Sequence, residues 1–363
     1  MKNFYKNKKI LVTGHTGFKG SWLCLWLLMM GAKVYGVSLY HPSSPSHFKV
    51  LKIGTQIKSF RIDIKNKRKL MYLFSQIKPE VVFHLAAQPI VKDSYLNPDN
   101  TFSTNAIGTF NILECVRMLK NKCTAILITS DKCYENKEIK RGYQENDTLG
   151  GSDPYSASKA SAEIIISSYF RSFLIDDKNK LIATGRAGNV IGGGDWASNR
   201  IIPDCMRSWS TEKPLILRNP NSTRPWQHVL EPLSGYLTLA IKLQTKKMIN
   251  GEAFNFGPPK NQNKSVMQVV SKLSKQWRFS DWSIKDEKNK VHEAGLLRLN
   301  CSKALNRLDW ESTLNFSQTI NFTNEWYKNF YEGNTNMQEF SRNQIEKYID
   351  TVNSKGKKWV KLI

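Results

Sequence analysis

An apolar triplet, Ile10-Leu11-Val12, runs directly into Thr13-Gly14-His15-Thr16-Gly17-Phe18-Lys19-Gly20 and then into a segment of helical period, Ser21 to Gly31. Strand, glycine turn and helix in that order constrain the fold more than any other feature of the chain. Glycines at three-residue spacing permit a tight turn and let backbone N–H groups approach a pyrophosphate at the positive end of the helix. At the first strand–helix junction of a β-α series, such a turn is a dinucleotide site. Gly14, Thr16, Gly17, Phe18, Lys19 and Gly20 are its candidate residues.

The β-α series continues. Lys33–Leu39 reads as a strand, Lys67–Gln76 as a helix, Val81–Leu85 as a strand and Thr104–Leu119 as a helix. Ala125–Thr129 follows as a strand, Tyr155–Phe173 as a long helix and Ile182–Arg186 as a further strand. This alternation predicts an α/β fold with a doubly wound parallel Rossmann sheet, its ligands at the carboxyl ends of the strands. After Arg186 the pattern changes to loops and shorter elements. Val229–Gln244 returns to helical period, and Ala253–Gly257 reads as a strand ending on glycine. The expected division is a dinucleotide-binding domain, 1–187 plus about 226–258, and a smaller interleaved C-terminal substrate-binding lobe, 188–225 and 259–363.

The chain carries 54 Lys+Arg against 30 Asp+Glu, a net charge of +24. Its lysines are scattered, with no aromatic-interleaved basic stripe of the kind that binds nucleic acid, so no nucleic-acid partner is expected. The positive field suits a doubly charged substrate. The longest apolar stretch, Trp22–Met30, is too short to span a bilayer, and no charged leader precedes it, so neither membrane nor secretion is expected. Six cysteines without a C-x-x-C pair read as reduced thiols of a cytoplasmic protein. No metal site is expected.

Catalytic chemistry is concentrated after the Ala125–Thr129 strand, where Ser130, Asp131 and Lys132 stand about two dozen residues before Tyr155-x-x-x-Lys159. Tyr155 and Lys159 lie one helical turn apart on one face. A lysine ammonium and a nicotinamide cation both favour the phenolate, which makes the tyrosine a base for a sugar hydroxyl. Ser130 can hydrogen-bond the same hydroxyl. Asp131 and Lys132 add a second acid and a second base, which oxidation alone does not need. Oxidation, loss of water and re-reduction in one site do need them.

The second strand lacks the carboxylate that usually holds the adenosine ribose. Its end reads Gly36-Val37-Ser38-Leu39-Tyr40-His41, where Ser38 can bond a ribose hydroxyl or tolerate a 2′-phosphate. NAD and NADP therefore both stay open at this point. Asp63 and Ile64, after the third strand, either meet the adenine edge or form a surface turn.

The blocks Val12–Leu23, His84-Leu85-Ala86-Ala87-Gln88-Pro89, Thr129–Asn136, Tyr155-x-x-x-Lys159, Arg186–Trp196 and Arg224–Leu233 together resemble the CDP-glucose 4,6-dehydratases, a family of extended short-chain dehydrogenases/reductases. The resemblance runs from about Lys9 to Trp326. It implies a tightly bound NAD, with Leu85, Ala86 and Ala87 beside it, and a nucleotide-sugar substrate, CDP-glucose, held by Gln88, Asn189, Arg200 and Arg224. It implies a lyase of deoxysugar biosynthesis for a lipopolysaccharide-type glycan, and a homodimer or homotetramer. A dehydratase that also inverts C5 shares the Asp-Lys pair. A 4-epimerase needs Tyr155 and Lys159 only, and a non-catalytic cofactor sensor or nucleic-acid binder needs neither. His292-Glu293 also resembles the family, without a derivable role.

Overall fold

The computed structural model describes residues 1–217, 219–259, 262–284, 297–333 and 335–362, so His292-Glu293 lies outside the described residues. Strands β1 (Lys9–Thr13), β2 (Lys33–Ser38), β3 (Lys58–Arg61), β4 (Val81–His84), β5 (Cys123–Ile128), β6 (Lys180–Ala187) and β7 (Ala253–Phe256) form a 7-stranded sheet. Their order is β7-β6-β5-β4-β1-β2-β3, and every neighbouring pair is parallel. The strand order reverses between β1 and β4, which opens a crevice at their carboxyl ends.

Side chains alternate between the two faces as a pleated strand requires. Ile10, Val12, Val81, Phe83, Ile126 and Ile128 enter one apolar core, and Leu11, Val82, Ala125 and Leu127 enter the other. The second core is closed by α2 (Lys67–Ile77), α3 (Gly108–Met118) and α4 (Pro154–Tyr169). The first is closed by α1 (Phe18–Met29) and by helices from the far end of the chain: α5 (Ile201–Trp209), α6 (Leu230–Thr245), α7 (Phe316–Glu332) and α8 (Met337–Ser354).

The apolar run Trp22–Leu27 is buried on every side because α1 is sandwiched between the sheet and these helices. Among the described residues no helix is long and apolar enough to cross a membrane. The sequence pattern leaves packing or extension open for the tail, 337–363; over residues 337–359 it is packed. Tyr348 and Trp359 are fully buried, and Tyr348 meets Trp26 edge-on at 5.8 Å.

Two further differences from the sequence pattern have local causes. The helix expected over Thr104–Leu119 starts upstream at Pro98, with Asn97 accepting from Asn100 N, and passes through a π turn at Ser103–Ile107 before α3. Helix α7 carries Thr319, Thr323 and Asn324 at buried positions, which blurs its apolar period. Asn324 is satisfied there, donating to Leu273 O at 2.9 Å and accepting from Trp277 Nε1 at 2.8 Å.

Short ribbons complete the smaller lobe. Val190–Ile191 pairs with Gln227–His228, Thr223–Pro225 with Asn263–Ser265, and Leu215–Leu217 with Trp282–Ile284. They set Asn189 and Arg224 over the crevice. All six cysteines stand free, and all but Cys301 are buried.

Candidate active site

A cavity of about 1770 Å³ occupies the crevice at the carboxyl ends of the strands. The turn residues Gly14, Thr16, Gly17, Phe18, Lys19 and Gly20 form one wall, joined by Ser38, Asp63 and Ile64. Leu85, Ala86, Ala87 and Gln88, after β4, form the floor. Ser130, Asp131, Lys132, Tyr155 and Lys159 line the catalytic end, and Asn189, Arg200 and Arg224 the wall of the smaller lobe. The fold thus brings every candidate residue to one cavity.

The glycine turn is held by close backbone approach. Gly14 has φ 75°, donates to Val37 O at 2.7 Å, and would place a Cβ 2.8 Å from Ala86 N. A Cβ on Gly20 would overlap the Gly14 carbonyl. Helix α1 opens at Gly17 with no side-chain cap, leaving its first N–H groups to the cavity. This cradle of backbone donors fits a dinucleotide pyrophosphate.

Ser38 is turned inward. Its hydroxyl accepts from Thr16 N at 3.2 Å and bonds His15 Nδ1 at 2.9 Å, while His15 Nε2 meets Ser59 Oγ at 2.7 Å. Burial pushes His15 down to about 4, so its ring is neutral. Asp63 accepts from Lys65 N at 2.9 Å and caps its own turn, yet still faces the cavity. Ile64 is buried in the α3 core.

At the catalytic end, Asp153 caps α4 by accepting from Ser156 N at 3.0 Å, and Pro154 occupies the first helical position. The cap fixes Tyr155 in the first turn. Burial pushes the Tyr155 phenol up to about 12, opposed by the Ser130 hydroxyl beside it. Lys159 is buried, donates to Ile128 O at 3.3 Å, and is pushed down to about 8 by that burial.

Burial also raises the Asp131 carboxyl above its ordinary value, against the nearby Lys132, Ser130, Lys19 and Arg224. Ser130 donates to Asp131 Oδ1 at 3.0 Å, and Lys132 N donates to Ser130 Oγ at 3.2 Å. Among the described residues Asp131 and Lys132 form no ion pair. Lys19 is drawn down to about 8 by burial and by Arg200 and Lys159, so the turn's lysine stands within electrostatic reach of the catalytic end.

On the facing wall, Arg200 donates to Asp195 Oδ2 at 2.8 Å. Arg224 donates to Thr223 O at 2.8 Å. Gln88 bonds its own turn through Ile90 and is clasped by Asn105. Trp196 and Trp226 line the cavity but are buried, with indole N–H groups committed to Tyr331 Oη and Lys264 O. His84 is structural, with Thr13 and Thr109 on its two ring nitrogens. His47 is buried against Trp22 and bonds Ser21.

Behind the site, Glu163 escapes a reading by motif and joins two residues that open quoted blocks, Thr129 and Arg186. Glu163, Arg186 and Thr129 form a buried cluster in which Arg186 binds Glu163 in bidentate fashion at 2.8 and 2.9 Å and Thr129 Oγ1 donates to Glu163 at 2.5 Å. The four-residue spacing from Lys159 to Glu163 was the available signal. Asp195, five residues before Arg200, was another.

A backbone cradle for a dinucleotide, facing a serine, a tyrosine and a lysine at the end of β5 and the start of α4, defines a short-chain dehydrogenase/reductase of the extended, sugar-nucleotide type. Comparison narrows the class. The chain belongs to the GDP-mannose 4,6 dehydratase family, whose model matches residues 11–323. It is 44% identical over 352 residues to the CDP-glucose 4,6-dehydratase of Salmonella typhimurium, covering 96% of this chain and 98% of that one. Among solved structures it resembles the UDP-glucuronic acid 4-epimerase of Bacillus cereus in complex with UDP-glucuronic acid and NAD, with TM-score 0.74, 25% identity and coverage of 89% and 100%. It also resembles the dTDP-glucose 4,6-dehydratase of Bacillus anthracis in complex with NAD, with TM-score 0.73, 23% identity and coverage of 90% and 98%.

Proposed function

We propose that this chain converts CDP-glucose into CDP-4-keto-6-deoxyglucose, with NAD as its resident cofactor. The carrying observation is the pair at the end of β5: a buried Asp131, its carboxyl raised by burial, beside a Lys132 with which, among the described residues, it makes no ion pair, both facing Tyr155's cavity. An epimerase has no use for that second acid and base. The 44%-identical relative bears the name of the same reaction.

Tyr155 takes the proton of the 4-hydroxyl, with Ser130 hydrogen-bonded to the same oxygen and the Lys159 ammonium favouring the phenolate. NAD, held by the Gly14–Gly20 turn, would supply a hydride acceptor for C4 and a hydride donor for C6, so the cycle would have no net redox change. Once C4 is a ketone the C5 proton is acidic, and Lys132 in its neutral form removes it. Asp131 gives its proton to the departing 6-hydroxyl, which leaves as water. Lys132 then returns a proton to C5. Arg200 and Arg224 offer guanidinium donors to the diphosphate, and Asn189 and Gln88 offer polar groups to the sugar. The turn Gly14–Gly20, with Ser38, Asp63 and Leu85–Ala87, holds the dinucleotide.

The division at 1–187 plus about 226–258 against 188–225 and 259–363 assigns cofactor to the first part and sugar nucleotide to the second. The free cysteines suit a reducing compartment, and we place the enzyme in the cytoplasm, supplying a lipopolysaccharide-type glycan. Phe102, Ile107 and Ile164 are exposed on the helices around α3 and α4, a surface suited to a homodimer or homotetramer, which light scattering would test.

The test is incubation of the purified protein with CDP-glucose and no added reductant, followed by mass spectrometry. Loss of one water, abolished by Tyr155→Phe and by Lys132→Ala, is expected. An unchanged mass with NAD supplied, for CDP-glucose and for other sugar nucleotides, sinks the dehydratase reading.

A further inference from the structure

Beneath the catalytic residues lies an ion pair that the reaction scheme does not use. Glu163 sits one helical turn beyond Lys159 on α4, and both it and Arg186 of β6 have side chains 4% exposed. Arg186 reaches on to Tyr134 Oη at 2.7 Å and Glu145 O at 2.9 Å, and Tyr134 donates to Asn255 of β7 at 2.8 Å. Thr129, whose hydroxyl donates to Glu163, lies between Ile128, the acceptor of the Lys159 ammonium, and Ser130. The carboxylate therefore ties the end of β5 to α4 at the level where the two halves of the catalytic set meet.

We propose that Glu163 is a positioning residue that acts through Lys159: seated by Arg186 and Thr129, it fixes α4 against Ile128–Ser130 and keeps the lysine in its ammonium form. Geometry carries this. Glu163 lies four residues beyond Lys159 on α4, and its bonds to Arg186 and Thr129 hold it against the two strand ends, so another rotamer would cost it buried partners. Electrostatics agrees in sign, since burial lowers Lys159 and Glu163 opposes that lowering.

The other groups facing Lys159 come from several elements. Tyr155 lies on α4 itself, and Asp131, Lys132 and Cys133 follow β5. Lys19 faces it from the glycine turn, and His84 from β4. Lys19 and Lys159 oppose each other's positive charge, and His84 is neutral, pushed down to about 3 by burial. Burial raises the Asp131 carboxyl above its ordinary value, against the cations near it. Arg186 of β6 stands behind Glu163 as its paired cation.

The proposal rests on the dehydratase reading, and the test separates the two. CDP-6-deoxyglucose has no 6-hydroxyl to lose, so mixing it with the NAD-loaded enzyme isolates the oxidation step from Asp131 and Lys132. The rate of nicotinamide reduction is followed against pH for the wild type, Glu163→Gln, Glu163→Asp and Thr129→Val. With Glu163→Gln the ammonium loses its anionic neighbour, so the basic limb moves toward lower pH by about one unit, roughly tenfold in rate at the wild-type limb. Glu163→Asp keeps the charge and restores the limb. Thr129→Val removes only a seating bond, so it lowers the reduction rate without moving the limb.

A folded Glu163→Gln whose limb stays at the wild-type pH overturns the proposal, whatever its melting temperature. If Glu163→Gln does not fold, an unchanged reduction rate in Thr129→Val overturns it. Should the wild type itself reduce no cofactor, the dehydratase reading fails. The clamp is then read from the tyrosinate difference absorbance between the NAD-loaded protein and its Tyr155→Phe variant. A titration in that signal that moves with Glu163→Gln supports the clamp, and one that does not overturns it.

Discussion

The hydroxyl of Ser38 accepts a hydrogen bond from the backbone N–H of Thr16 at 3.2 Å, turning the end of β2 back into the glycine turn. Where a carboxylate for the ribose is usual, this chain instead has a serine that braces the turn. His15 fills the space behind it, bonded to Ser38 and Ser59. Ser38→Ala removes two hydrogen bonds from a buried turn, and cofactor affinity is expected to weaken by about 1 kcal/mol, roughly fivefold in Kd. Titration of NAD by tryptophan fluorescence checks it; an unchanged Kd would show that the turn holds its shape without Ser38.

Separation of the two acid–base pairs predicts different failures. Lys132→Ala leaves Tyr155, Ser130 and Lys159 in place, so oxidation proceeds and elimination stalls. Reduced nicotinamide should accumulate on mixing with CDP-glucose, while turnover falls about 10²- to 10³-fold. Tyr155→Phe should give neither reduced cofactor nor product. Stopped-flow absorbance distinguishes them, and a Lys132→Ala enzyme with normal turnover would remove Lys132 from the mechanism.

The pH dependence of oxidation has a definite sign. The Lys159 ammonium, brought down to about 8 by burial, is present below that value and lost above it. Oxidation should therefore decline as pH rises through about 8. A rate that climbs steadily to pH 10 on a stable enzyme would contradict this assignment (the value 10 being roughly the free-phenol pKa).

Acid stability follows from buried histidines. His47, His84 and His228 are pushed down to about 3 and His15 to about 4, all by burial. Each is neutral when folded and binds a proton below about 6.5 when unfolded. Stability is then fully present above about 6.5 and is lost as pH falls, by up to about 1.4 kcal/mol per pH unit for each histidine. Glu231, raised to about 7 by burial, works in the opposite direction over part of this range. Urea unfolding at several pH values should show stability falling below about 6.5, with a shallower slope in His47→Gln. Equal slopes would mean that His47 protonates in the folded state.

Helix α8 hangs on a polar contact inside the apolar core. Tyr348 donates to Glu231 at 2.9 Å and meets Ser234 at 3.1 Å, and Glu231 also accepts from Thr313 N and Leu314 N. Tyr348→Phe keeps the ring and leaves these acceptors short of a donor, at a cost of about 1–3 kcal/mol. Chemical denaturation measures it, and a loss under about 0.5 kcal/mol would show that water or rearrangement replaces the hydroxyl.

Much of the site was legible before the fold. The glycine turn, Ser130-Asp131-Lys132 and Tyr155-x-x-x-Lys159 each follow a strand or open a helix, so their chemistry is written in a few consecutive residues. Ser38 was legible as a departure, but its inward turn depended on His15 filling the space against Gly36, where a Cβ would overlap the imidazole ring. Helices α7 and α8 were harder to read because Thr319, Thr323, Asn324, Ser341 and Gln344 are buried polar residues. Asn324, Ser341 and Gln344 are satisfied by partners outside their own helices that no periodicity reveals.

By itself the sequence determined the β-α order, the parallel sheet, the phosphate turn and the type of chemistry, because each depends on patterns spanning one strand or one helical turn. Tertiary structure alone decided which groups meet behind that chemistry: Glu163 with Arg186, 23 residues on, Arg186 with Tyr134, and Tyr348 with Glu231, 117 residues away. Such partners are chosen by where packing leaves a buried polar atom and which donor the fold brings within about 3 Å of it. That choice is made by the whole sheet and its two cores, so it becomes visible only when they are assembled.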